Sequence, residues 1–192
     1  MSNDVLTTLE ASRLQVSERC CDLFVTVGTT DLPIAEIAPA VGISQRTFYR
    51  YFPIKAESIG PLLDSAIRSS NAVIAQSDPG LALPEVLSAA FCASLLGAVT
   101  ARTRGLFPLV FHDPEMWSVF MRKLHDGERS VVPILAPRLG LAADSIAARA
   151  AAAGAASAIR VALEAMVTSG ADPEDVHLQM LTAFSAGVLR GR

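Results

Sequence analysis

The residues best suited to chemistry lie together between Ser44 and Lys55. This segment carries three cations and no acidic residue, whereas the whole chain has 16 Lys and Arg against 19 Asp and Glu. Arginine can donate two hydrogen bonds to guanine, glutamine can pair with adenine, and hydroxyl or lysine side chains can bind phosphates. The segment therefore predicts a local DNA-binding surface, with the contact residues Ser44, Gln45, Arg46, Thr47, Tyr49, Arg50, Tyr51 and Lys55.

Two short helices joined by a tight turn are needed to position these side chains. The first is predicted to start near Pro33, a residue suited to the first helical position, and to end at Gly42. Ser44 is a favoured N-cap for the second helix, whose Phe48 and Phe52 are spaced to face inward. This arrangement is a helix-turn-helix, in which the second helix lies in the major groove of DNA.

The rest of the chain is predicted to be helical as well, because apolar residues recur at helical spacing and strand patterns are nearly absent. A first helix over Leu9–Val27 is predicted to end at Gly28. The fold class is therefore all-α, with an N-terminal three-helix helix-turn-helix domain and a C-terminal helical domain. The longer helices are predicted over Lys55–Gln76, Pro84–Ala101, Arg104–Phe111, Pro114–Val132, Ala143–Ser169 and Pro173–Leu189.

The N-terminal segment carries a recognisable order of residues: Leu23-Phe24, Gly28, Ile37-Ala38, Val41-Gly42-Ile43-Ser44, Phe48-Tyr49-Arg50-Tyr51-Phe52 and Lys55. This order resembles the tetracycline-repressor (TetR) family of regulators. Three features depart from the family pattern. Pro39 lies inside the first helix of the helix-turn-helix and is expected to truncate or bend its last turn. Leu32-Pro33 stands where members often have a threonine that caps the second helix, and Arg46 stands where glycine is common. A long cation at that position implies a different operator.

The resemblance implies a DNA-binding domain over residues 1–54 and a regulatory domain over residues 55–192 that binds a small ligand and dimerises. The implied function is a sequence-specific regulator, in the first place a homodimeric repressor released from a palindromic operator by a small-molecule effector. An activator or a corepressor-dependent regulator is the alternative. A helical small-molecule-binding protein or enzyme without DNA binding is the rival from a different class.

Aromatic and methionine residues concentrate in the middle of the chain, where the resemblance implies a ligand pocket. An ordinary helical core explains the same clustering, so both interpretations stay open. If a pocket is present, we expect it to be largely apolar. Its predicted lining residues are Phe91, Leu95, Phe107, Phe111, Trp117, Phe120 and Met121.

The last two predicted helices match the place where the family builds its dimer interface. They carry an apolar stripe, which packs either against a second copy or inside one chain. An exposed stripe of that size would be a liability on a monomer. The predicted interface residues are Leu163, Met166, Val167, Leu181, Phe184 and Val188.

Several other classes of function find no support in the sequence. No phosphate-binding glycine loop, hydrolase nucleophile motif or zinc-protease motif occurs, so we expect no catalytic residues and no cofactor. The three histidines are widely spaced, which does not favour a metal site. The longest stretch without charge or histidine, Val86–Ala101, is too short for a membrane span. With no signal-peptide pattern at the N-terminus, a cytoplasmic protein without a membrane partner is expected.

Gly60-Pro61 lies in the early turns of the predicted helix Lys55–Gln76, which leads from the DNA-binding domain into the regulatory domain. Proline removes a backbone hydrogen bond and glycine lowers the cost of bending. The pair is therefore either a hinge that sets the orientation of the DNA-binding domain, or a static kink, or the place where a helix simply begins later.

Overall fold

A computed structural model describes residues 7–94 and 101–187, and these ranges contain α-helices, one short 3-10 helix and no strand. The predicted all-α class is thus confirmed. The N-terminal part contains α1 over Thr8–Val27, α2 over Ile34–Ala40 and α3 over Gln45–Tyr51. After the 3-10 helix over Lys55–Ile59, the remaining elements are α4 (Gly60–Gln76), α5 (Leu83–Ser94), α6 (Ala101–His112), α7 (Pro114–Arg138), α8 (Ile146–Ser169) and α9 (Pro173–Ser185).

Local sequence signals define both ends of α1. Thr7 Oγ1 accepts a hydrogen bond from the Glu10 backbone N–H at 3.2 Å, and the Glu10 carboxylate accepts one from the Thr7 N–H at 2.8 Å. This reciprocal pair is a capping box, which satisfies N–H groups that have no partner inside the helix. At the other end Gly28 adopts the left-handed conformation with φ of 76°, so the predicted stop at Gly28 is confirmed.

The helix-turn-helix forms around a small set of fully buried side chains. Phe48 and Phe52 point inward as predicted, each with no exposed surface, and their rings meet edge to face at 5.2 Å. The turn between α2 and α3 requires a glycine, because Gly42 has φ of 79°. The Arg19 side chain of α1 donates to the Val41 carbonyl oxygen at 3.3 Å and ties this turn to the first helix.

The longer helices pack around a core that is continuous with the core of the helix-turn-helix. One cluster of buried side chains runs from Val16 in α1 through Phe91, Phe107 and Phe120 to Met166 in α8. Helix α4 packs against α5 and α7, and α8 packs between α7 and α9. The helix-turn-helix therefore rests on the C-terminal helices through shared apolar contacts.

Helix α7 is longer than predicted. The prediction that it ends at Val132 is wrong, since the helix continues through Pro133 and Pro137 to Arg138. A proline inside a helix costs about 3 kcal/mol. Leu135 and Ala136 in the extra turns have no exposed surface, and burying one leucine side chain contributes roughly 1.5–3 kcal/mol. Tertiary packing thus offsets part of the local penalty of the two prolines.

Helix α9 is shorter than predicted, ending at Ser185 instead of Leu189. Gly187 follows with a left-handed φ of 76°, a conformation that stops a helix. Helix α8 begins at Ile146 because Ser145 caps it. Helix α6 extends beyond its predicted range at both ends.

The junction at Gly60-Pro61 differs from the predicted kink. Residues Lys55–Ile59 form a 3-10 helix, and α4 begins only at Gly60. Pro61 therefore lies in the first turn of α4, where its missing N–H removes no bond of the helix ladder. The predicted helix start at Lys55 is therefore wrong, the alternative that the helix simply begins later is confirmed, and the hinge hypothesis loses its structural basis.

We accordingly expect Pro61→Ala to leave DNA affinity unchanged. The substitution alters no ladder hydrogen bond, and its effect on stability should be small, about 0.4–1 kcal/mol. Fluorescence anisotropy measures the affinity for a duplex that the protein selects from random DNA, and thermal unfolding measures the stability. A clear loss of DNA affinity with unchanged stability would restore the hinge.

Candidate DNA-binding surface and ligand cavity

Helix α3 presents one exposed polar face. Gln45, Arg46, Tyr49 and Arg50 are all exposed, and their spacing places them side by side on the helix, away from the buried Phe48. Neither arginine forms an ion pair with any residue that the structure describes. The Arg50 guanidinium lies 5.3 Å from the centre of the Tyr51 ring, which holds it against the protein. The face therefore offers unneutralised positive charge and donor groups to the solvent.

Ser44 and Thr47 hydrogen-bond to each other at the start of α3 and also belong to the predicted DNA-binding surface. Ser44 Oγ accepts a hydrogen bond from the Thr47 backbone N–H at 3.1 Å, and the two hydroxyl groups lie 3.1 Å apart. The predicted N-cap at Ser44 is confirmed by this geometry. Both side chains thus fix the position of the polar face.

Lys55 lies off α3, at the start of the 3-10 helix. It lines a polar groove of about 480 Å³ together with Asp31, His112 and Asp113. Lys55 therefore lies where the helix-turn-helix meets the beginning of α7.

Polar contacts connect the helix-turn-helix to the longer helices. Thr30, in the loop after α1, donates a hydrogen bond to Asp113 at 2.8 Å, and Asp113 also accepts two backbone N–H bonds at the start of α7. Arg102 of α6 binds the Asp22 carboxylate through two nitrogens, at 2.6 and 2.9 Å. The position of α1 and of the loop after it is therefore tied to α6 and α7.

A largely apolar cavity of about 120 Å³ lies among α4 to α9. One water molecule needs roughly 10–15 Å³ in the same measure, so the cavity has room for a small organic molecule. Its walls are mainly aliphatic and aromatic, with Leu63 and Ile67 from α4 and Ile159 from α8 among them. This is the usual composition of a small-molecule site.

His177 of α9 is the buried polar side chain in the cavity wall. It is 2% exposed and stacks on Phe91, with ring centres 4.2 Å apart and planes at 16°. Burial lowers the pKa of His177 to about 4, so the imidazole is neutral at pH 7. Its Nδ1 finds no hydrogen-bond partner among the described residues.

Residues 20–57 match the sequence model of the bacterial regulatory proteins of the TetR family. The matched segment contains α2, α3, the turn between them and Lys55. This segment is similar to the N-terminal segment of TetR-family regulators. The resemblance predicted from the sequence is thus confirmed for this segment.

Solved structures show the same fold over most of the chain. A TetR-family transcriptional regulator from Streptomyces coelicolor is 19% identical, with 91% of this chain and 81% of that chain covered and a TM-score of 0.58. GusR of Salmonella enterica is 17% identical, with 96% and 98% covered and a TM-score of 0.61. No curated protein sequence matches the chain. The TetR-like fold therefore extends beyond the matched N-terminal segment.

The predicted pocket residues of this protein separate into two groups. Phe91, Phe107 and Phe120 line the cavity. Phe111, Trp117 and Met121 do not, because they pack as partly buried side chains against the main core. The Phe111 and Trp117 rings lie 4.4 Å apart. Leu95 lies outside the described residues.

Much of the cavity wall was missed by sequence reasoning. Helix α4 contributes Leu63, Ile67 and Ile74, which are spaced by four and seven residues on one face. This spacing is a helical signal, but it predicts only an inward face and cannot distinguish a cavity wall from a filled core. His177 was missed because one histidine in a helix carries no pattern.

The predicted interface residues also lie in different environments. Leu163, Met166 and Leu181 are only 2%, 7% and 4% exposed, so they pack inside their own chain. Phe184 is 36% exposed and Val167 is half-buried. Val188 lies outside the described residues. The apolar surface left for a partner is therefore narrower than the predicted stripe.

Helix α8 is long and apolar enough to cross a membrane by length and composition alone. Within its most apolar stretch of 18 residues, 39% is buried inside the chain. A core helix of a globular protein passes the same test. Its position between α7 and α9 agrees with that role.

Proposed function

We propose that this protein is a sequence-specific transcriptional regulator that acts as a homodimer. The observation that carries the proposal is the exposed face of α3, where Gln45, Arg46, Tyr49 and Arg50 stand free of acidic partners among the described residues. A recognition helix with such a face can enter the major groove and read base edges. Residues 1–54 are proposed as the DNA-binding domain and residues 55–192 as the regulatory domain.

The direct test is selection of bound sequences from a random duplex DNA pool with the purified protein. We expect enrichment of a palindrome, because a two-fold symmetric dimer presents two identical recognition helices. An Arg46→Ala, Arg50→Ala double variant serves as the control and should enrich no such sequence. Failure of the wild-type protein to enrich any palindrome would overturn the proposal.

Individual residues of α3 are expected to contribute differently. Gln45→Ala and Arg46→Ala should each cost about 1–3 kcal/mol on the selected palindrome and relax the base preference there, because a bidentate contact is lost. On random duplex DNA the same variants should change affinity little. Fluorescence anisotropy with both duplexes measures the difference.

The matched comparison uses the proposed phosphate contacts. Lys55→Ala and Tyr49→Phe should weaken binding to both duplexes alike, and Lys55→Ala should also flatten the dependence of affinity on salt. Equal losses on both duplexes for Arg46→Ala would show that Arg46 contacts the backbone instead of a base.

The cavity supports a proposal for regulation. We propose that a small molecule binds there and releases a repressor from its operator. The cavity wall includes Phe107 of α6, and Arg102 of the same helix forms an ion pair with Asp22 of α1. A ligand shifts the DNA-binding state only if it binds the two states with different affinity. An activator or corepressor-dependent regulator is the alternative, and a promoter-reporter assay with the selected operator distinguishes them.

The proposed dimer interface involves α8 and α9. The outward side of α8 is rich in small residues, and Phe184 of α9 lies beside Gly154, where an added Cβ atom would come within 3.8 Å of its ring. Leu178 and Phe184 leave 42% and 36% of their surface exposed on α9. Small residues allow close approach of a second helix pair, and the exposed apolar side chains gain burial there.

A further inference from the structure

The described cavity wall contains a buried polar side chain whose hydrogen bonding is incomplete. His177 is almost fully buried, lines the cavity and leaves Nδ1 without a partner among the described residues. A buried polar atom without a hydrogen bond is unfavourable, and such an atom in a cavity wall gains from a ligand that supplies the missing bond.

Stacking on Phe91 still allows the His177 ring to rotate about its Cβ–Cγ bond. A half-turn about the Cβ–Cγ bond exchanges Nδ1 with a ring carbon and keeps the two planes parallel. This torsion is broad for histidine, so the turn is compatible with the side chain's ordinary conformations. A nitrogen can therefore be presented to the cavity while Phe91 holds the plane of the ring.

Neither charged side chain in the described cavity wall offers a buried, unpaired charge. Lys123 Nζ lies 2.8 Å from the Asp64 carboxylate, and the Glu128 side chain is 30% exposed to solvent. A charged ligand would enter a mainly apolar space without a free opposite charge, which is strongly unfavourable. The cavity thus favours an uncharged molecule.

We propose that the cavity takes an uncharged, mainly apolar small molecule with one hydroxyl group, and that this hydroxyl hydrogen-bonds to the His177 imidazole. The neutral imidazole can accept a bond from the hydroxyl at one nitrogen and donate at the other. This inference deepens the proposed regulatory function, because it assigns a chemical class to the effector.

The test uses two probes that differ only in the hydroxyl group, 4-propylphenol and propylbenzene. Isothermal titration of the wild-type protein should show about tenfold tighter binding of 4-propylphenol, the effect of one net hydrogen bond. In His177→Phe this preference should disappear, while propylbenzene still binds. Ser70→Ala, which removes another hydroxyl from the cavity wall, is the matched control and should keep the preference.

Binding of propylbenzene to His177→Phe shows that the cavity persists in the variant. If phenylalanine fills the space and propylbenzene no longer binds, the smaller His177→Leu gives the same comparison. A wild-type protein without preference for the phenol, or a preference that survives both His177 variants, overturns the inference. Operator selection with ligand-free protein is independent of these titrations, so failure of the proposed DNA-binding function is seen separately.

Discussion

Phe184→Asp should convert the dimer to a monomer and lower affinity for the selected palindrome by about 100-fold or more. Phe184 is 36% exposed on α9, at the proposed interface, so a charge there would be buried against a second copy without a partner. A monomer has one recognition helix and loses the gain from binding two linked half-sites. Sedimentation velocity measures the oligomeric state, and anisotropy measures the affinity.

Gln179→Asp is the matched control for this variant. It places a carboxylate on the exposed surface of the same helix, five residues away and roughly 140° around the axis. The control should stay dimeric and bind the palindrome normally. Circular dichroism should show the same helix content in both variants. A Phe184→Asp protein that remains dimeric would place the interface elsewhere. Leu181 is unsuitable for this test, because it is 4% exposed and a charge there would disturb the core.

The protein should lose about 3 kcal/mol of stability as the pH falls from about 6.5 to about 4, because of His177 alone. Burial lowers the pKa of His177 from 6.5 to about 4 in the folded chain. In this pH range the unfolded chain therefore binds a proton that the folded chain does not. Protonation favours the unfolded state, so this contribution is complete above pH 6.5 and is lost towards pH 4. Urea unfolding at a series of pH values measures it.

Two variants isolate this contribution from that of the other titrating groups. His177→Phe keeps a ring against Phe91 and cannot be protonated, so its stability should fall less steeply over the same range. His125→Gln should behave like the wild-type protein, because the His125 side chain is 62% exposed. Equal slopes for wild type and His177→Phe would contradict the shifted pKa.

Short-range signals determined the helix-turn-helix. Gly28 and Gly42 have the left-handed conformations that their positions suggested, and Ser44 caps α3 as its residue type predicts. Phe48 and Phe52 are buried at the predicted helical spacing. Each of these features depends on residues within a few positions along the chain, so the sequence contains all the necessary information. The unpaired cations of α3 follow from the same local pattern.

Tertiary packing decided the features that depend on distant residues. Helix α7 continues through Pro133 because Leu135 is buried by side chains from other helices, a gain that the proline pattern does not reveal. The burial of Leu181 inside its own chain has the same origin. His177 lies against Phe91, 86 positions earlier in the chain, and only this contact places a neutral imidazole in the cavity wall. Helical periodicity gives the inward direction of a side chain, but the packing of several helices decides whether it meets a core, a cavity or the surface of a partner.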